Sequence, residues 1–110
     1  MARILCAILT LLFALPGIVM AAGDPEAGRT KAYTCTGCHG IPGYNNIYPT
    51  YKVPKLGGQN TQYLVIALKA YRDGLRNHET MTLQAQALSD QDIEDVAAYF
   101  TSLAEEDDGQ

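Results

Sequence analysis

The sequence predicts an all-α domain, on two positive observations and one negative. Apolar residues recur at helical spacing in Leu64, Ala67, Leu68 and Tyr71, and again in Ile93, Val96, Ala97 and Phe100, which puts each set on one helix face. Along the 110 residues no strand-like alternation, internal repeat or low-complexity block stands out. A chain of this length has room for a single domain.

The N-terminus is of another kind. One positive charge in Met1-Ala2-Arg3 precedes an uncharged run from Ile4 to Ala22, broken by Pro16-Gly17 and ending in small residues before Gly23-Asp24-Pro25-Glu26. That pattern predicts an export signal over residues 1–21, cut after Ala21 or Ala22, and hence a periplasmic protein. The competing expectation is an uncleaved anchor, because the run approaches the roughly 20 residues that span a bilayer. Cys6 lies within the signal and leaves with it. Loss of Arg3 turns eight basic and twelve acidic side chains into seven against twelve, a net charge of −5. This sign argues against nucleic acid and acidic membrane surfaces as partners.

Within the expected domain, 22–104, the elements follow in order. Asp24-Pro25-Glu26 is a helix start, with an Asp cap, Pro at the first helical position and a carboxylate near the positive helix end; the helix should run toward Tyr33. The stretch from Gly40 to Gly58 holds Pro42, Pro49 and Pro54 with Gly43, Asn45, Asn46 and Gly57, and reads as a long loop or a chain of turns. Such a loop inside a compact domain implies that it wraps something functional. A second helix starts at Asn60 or Thr61 and is stopped by Gly74. The last begins at Ser89, which with Asp92 resembles a capping box, and ends near Leu103. Residues 105–110 form an acidic, solvated tail.

The core available to these helices is thin. Beyond the signal there is no Trp, a single Phe (Phe100), and fourteen Ile, Leu and Val residues between Ile41 and Leu103. Small domains so short of apolar side chains recruit a disulfide framework, a metal or a cofactor to complete the interior.

Cys35-Thr36-Gly37-Cys38-His39 supplies the candidate. C-x-x-C-H is the attachment signature of c-type haem: two thiols at a helix end reach the two vinyl positions on one haem edge, and the next residue offers an imidazole to the iron. A disulfide or a thioredoxin-like pair is the alternative, but the latter needs a βαβ pattern that is missing. Zinc fits poorly, because only His39 and His78 remain as imidazoles and there is no third cysteine. Electron transfer without substrate binding needs a second axial ligand, and a thioether opposite imidazole raises the potential and closes the site. Met81 is the only methionine beyond the signal. A lone Met is ordinarily core filler, but Asn77-His78-Glu79-Thr80 and Thr82 around it predict a loop between two helices. His78 is the rival ligand and would give a two-histidine site of lower potential.

Several segments together resemble the class I cytochromes c, in the bacterial branch of single-haem carriers and two-haem "c-four" and c-five type proteins. They are GDPEAG at 23–28, CTGCHG at 35–40, VPKLGGQ at 53–59 and ALSDQDIEDVAAYF at 87–100. The resemblance implies three to four helices wrapped around one covalently bound haem c, with the first and last helices crossing where Gly28 permits close approach and Tyr99-Phe100 packs nearby. It implies His39 and Met81 as axial iron ligands, the Pro54 carbonyl as partner of the His39 ring N–H, Leu56 against the haem face, and Tyr63 and Arg76 near the haem propionates. The expected function is one-electron transfer to and from redox partner proteins that dock transiently, with no catalysis by the chain alone. The alternatives are a haem subunit of a membrane-bound respiratory complex, or a peroxidase or gas-binding protein with a labile Met81.

Overall fold

The computed structural model describes residues 22–41, 43–47 and 50–103. The expected signal over 1–21 with Cys6, the prolines Pro42 and Pro49, and the acidic tail 105–110 lie outside the described residues. Helices dominate, as the sequence predicts. Among the described residues there are five of them, because the segment after the first expected helix and the Met81 segment are themselves helical.

Helix α1 (Pro25–Lys31) starts on Asp24, whose side chain accepts from the Glu26 N–H, with Pro25 in the first turn. It stops at Ala32, just short of Tyr33 as expected, and a further helix, α2 (Tyr33–His39), follows at once and carries the C-x-x-C-H residues. In place of an unbroken loop, the chain then forms a hairpin of β1 (Asn45–Ile47) and β2 (Thr50–Lys52), antiparallel, with Asn46 opposite Tyr51. Strands of three residues are too short for a period of two to be read, which is why they register in the sequence only as turn residues.

Helix α3 (Thr61–Arg72) is capped by Asn60, which accepts from the Tyr63 N–H, and ends at Asp73. Gly74 follows at φ +77°, a left-handed turn that glycine enters without steric cost. Helix α4 (Glu79–Gln86) begins on His78, so Met81 sits in a helical first turn rather than in the expected loop. Helix α5 (Asp90–Ser102) carries the complete capping box between Ser89 and Asp92 and ends on Leu103.

α1 crosses α5 at Gly28, which is buried; a Cβ there would run into the Asp95 carbonyl oxygen and the Tyr99 side chain. The same crossing is locked by charge. Asp95, 3% exposed, accepts from the Asp24 N–H at 2.8 Å, from Lys31 at 2.5 Å and from Gln91 at 2.9 Å. Arg72 ties the end of α3 to the start of α5 through Asp90 at 2.7 Å. The apolar core is small: Ala32, Leu64, Val96, Ala97 and Phe100 form its buried cluster.

Candidate functional site

The residues of the C-x-x-C-H motif occupy the end of α2. Cys35 and Cys38 are three apart on a helix and therefore share a face. Both are half-buried free thiols, and burial pushes the Cys35 thiol above its ordinary value. His39 is the last residue of α2, and its Nδ1 lies 2.7 Å from the Pro54 carbonyl oxygen. A carbonyl only accepts, so Nδ1 carries the hydrogen and the Nε2 lone pair is left for another partner.

Two clefts open beside this histidine. One, of about 790 Å³ with the open space at its mouth included, is walled by Cys35, Leu56, Leu64, Leu68, Val96 and Phe100. The other, of about 730 Å³ on the same footing, lies toward the hairpin against Cys38, Tyr51, His78 and Thr80. His39, Pro54, Tyr71 and Met81 belong to the walls of both clefts, so the two spaces adjoin along the imidazole and the thioether.

The apolar face of α3 explains why the space exists. Leu64 is buried in the core, whereas Ala67, Leu68 and Tyr71 remain half-buried and line the larger cleft. A face that in sequence reads as core thus meets a gap. At its rim, Arg76 Nη1 stands 3.5 Å from the Tyr63 hydroxyl, and its guanidinium lies 4.7 Å over the Tyr71 ring.

His78, the rival ligand in sequence, is engaged otherwise. Its Nδ1 accepts from the Met81 N–H at 3.4 Å, and its ring stands edge-on to Tyr51 and Tyr71 at centroid distances of 4.7 and 6.3 Å. It borders only the smaller cleft. Sequence reasoning missed Tyr51 and Tyr71 as residues of the site. Tyr71 carried a signal, as the last member of an amphipathic face that outnumbers the apolar residues available to cover it. Tyr51 carried none.

The donor set suits a haem. The His39 imidazole and the Met81 thioether line both clefts, and among the described residues no three His, Cys, Asp or Glu side chains converge as a metal site of their own. A ring ligand would bring its own equatorial donors, and the apolar walls of the larger cleft suit its faces.

Comparison with known proteins agrees. The family model for cytochrome c matches residues 26–104. Cytochrome c-554(548) of Halomonas halodenitrificans is 50% identical over 84 residues, 74% of this chain and 98% of that protein. Cytochrome c4 of Pseudomonas aeruginosa is 44% identical over 94 residues, 86% of this chain but 45% of the relative. Among solved structures, reduced recombinant cytochrome c4 from Pseudomonas stutzeri is similar with a TM-score of 0.55 at 28% identity, over 77% of this chain and 52% of that one. The chain therefore spans about half the length of the cytochrome c4 relatives it matches.

Proposed function

The chain belongs to the cytochrome c family, and from that premise we propose that it is a periplasmic one-electron carrier, with haem c held by Cys35 and Cys38 between His39 and Met81. The observation that carries the reading is the sharing of His39 and Met81 by both clefts, with the two thiols on the adjoining helix face. Haem c, the covalently attached cofactor of this family, supplies a ferrous–ferric couple.

The chain's own residues account for the rest. Cys35 and Cys38 hold the cofactor through thioether bonds. The Pro54 carbonyl fixes the His39 tautomer and ring orientation, as outer partners of metal-bound histidines do, and makes the imidazole the more basic donor. Met81 contributes a neutral thioether, which favours the ferrous state more than a second imidazole does. Leu56, Leu64, Leu68 and Phe100 exclude water from the cofactor faces, which lowers the local dielectric and the reorganisation that accompanies each electron. Tyr63 and Arg76, at the rim, offer an O–H and a guanidinium to the propionates. With both axial donors supplied by the protein, the site has no open position for a substrate, and the chain acts on none by itself.

Export rests on the charged start, apolar run and small-residue end of residues 1–21. Among the described residues no helix is long and apolar enough to cross a membrane. The acidic balance, twelve carboxylates against eight basic side chains in the whole chain, favours redox partners with a basic docking patch, met in small transient contacts.

Absorption spectra of the purified protein, oxidised and reduced, test the assignment. A weak near-infrared band of Met sulfur on ferric haem is expected in wild type and is lost in Met81→Ala. A wild type without that band leaves the sixth position to His78 or open, and a protein without haem absorption overturns the reading.

A further inference from the structure

We propose that His78 is the positioning residue for Met81: its imidazole, held between Tyr51 of the hairpin and Tyr71 of α3, caps α4 on the Met81 N–H and so sets where the sulfur lies in the cleft. The inference rests on Met81 being an axial ligand. It assigns His78 a role that ligation does not.

Helix α4 has eight residues, too few to hold a position in water without tertiary support. Its N-terminus is therefore placed by whatever grips the cap. Asn, Asp and Ser are the usual cap residues, and Asn60 and Ser89 start α3 and α5 in that way. At α4 the cap is an imidazole in extended backbone, φ −165°. An amide or hydroxyl would satisfy the same N–H, but only a ring offers two faces and an edge to neighbouring aromatics. Tyr51 and Tyr71 both use it, at near-perpendicular angles of 80° and 79°, the edge-to-face arrangement that aromatic pairs favour. Tyr51 also donates its hydroxyl to Thr80 Oγ1 at 3.3 Å, one residue before Met81. The hairpin is thus joined to the methionine turn at two points, and the cap falls on the methionine's own N–H rather than on a neighbour's.

The same arrangement explains a hairpin with no catalytic or ligating residue. Its strands are three residues long; Tyr51 and Lys52 on the second line the cleft, and Tyr51 is the one that meets His78. Tyr71 completes the hold from α3, and Arg76 stacks on its ring.

The test uses the purified oxidised holoprotein and imidazole as a competing ligand, followed by loss of the near-infrared band. Displacement requires the state in which Met81 has left the iron, so apparent imidazole affinity reports the population of that state. Loss of a cap should raise it about fivefold in His78→Ala. His78→Asn, which keeps an acceptor for the Met81 N–H but loses both ring contacts, should fall between wild type and His78→Ala. Tyr51→Leu, which keeps the cap and loses one ring contact and the bond to Thr80, should also lie between wild type and His78→Ala. Gly28→Ala, at the α1–α5 crossing, serves as a control for general destabilisation and should bind imidazole as wild type does.

The proposal is overturned if His78→Ala matches wild type, if His78→Asn shifts as far as His78→Ala, or if Gly28→Ala shifts equally. Should His78→Ala fail to accumulate with haem attached, His78→Asn and Tyr51→Leu decide it by the same titration. A wild type that lacks the band, or a Met81→Ala variant that keeps it, defeats the ligand assignment instead and is told apart by that result.

Discussion

Asp95 is the one charged side chain found buried among the described residues, and its environment shows how a buried charge is tolerated. The Asp24 N–H, Lys31 and Gln91 hold its carboxyl down to about 2, from an ordinary 3.8, while Lys31 and the Ser89 backbone do the same for Asp92. A depressed carboxylate means that the unfolded chain binds more protons than the folded one between these values. The stability it contributes is therefore intact above about pH 4, and is lost as pH falls from there through about 2. Asp95→Ala leaves the Asp24 N–H without its acceptor and Lys31 with Asp92 alone, and should cost about 2 kcal/mol at neutral pH. Denaturant midpoints followed by far-ultraviolet circular dichroism from pH 2 to 7 check both statements: the gap between wild type and variant should close at the acid end.

At the scale of elements, the α1–α5 crossing sets two glycine effects against each other. Glycine inside a helix is less favourable than alanine by about 1 kcal/mol, so Gly28→Ala would stabilise an isolated α1. In the folded chain the new Cβ meets backbone, the Asp95 carbonyl, which cannot swing aside as a flexible side-chain tip does. Overpacking of this kind costs about 1–3 kcal/mol or more, and with backbone as the obstacle it outweighs the propensity gain. Gly28→Ala should unfold at a lower temperature than wild type in a thermal scan. Arg72 does for α3 and α5 what Lys31 does for α1 and α5, spanning from one helix to Asp90 and to the Leu88 carbonyl, so each of these two helix contacts is closed by one cation.

For the whole molecule, the balance between core and cleft decides folding. Among the described residues the largest fully buried side chains are Ile93 and Val96, while the half-buried Leu56 and Leu68 border a cleft of about 790 Å³ with its open mouth included. Filled with water, that cleft leaves apolar walls exposed and removes much of the stabilisation a small domain has available, roughly 25 cal/mol for each Å² left uncovered. A Cys35→Ser/Cys38→Ser double variant, which cannot bind haem covalently, should lose most of its helical circular dichroism and its cooperative unfolding transition. A variant that keeps both would show that the helices close on themselves and that the cofactor is not a structural part of the interior.

Much of this protein is written locally in the chain. The C-x-x-C-H motif, the caps at Asp24, Asn60 and Ser89, the stop at Gly74 and the two amphipathic faces depend on residues a few positions apart, and their physics is complete at that range. The first and last helices were paired by resemblance, and the buried Gly28 and Asp95 show the contact that pairs them. Three features were not legible. The hairpin is too short for periodicity, and its Tyr51 meets His78 and Thr80 nearly thirty residues away. Met81 reads as loop because its neighbours are polar, yet the chain there is helical once His78 caps it and the tyrosines hold the cap. The face of α3 reads as core, and only packing decides that part of it borders empty space. Sequence determined which groups are present and how the locally capped helices fold; tertiary structure decided the hairpin, the helical turn at Met81 and which groups meet, because contacts between distant segments depend on loop closure and packing that no local pattern contains.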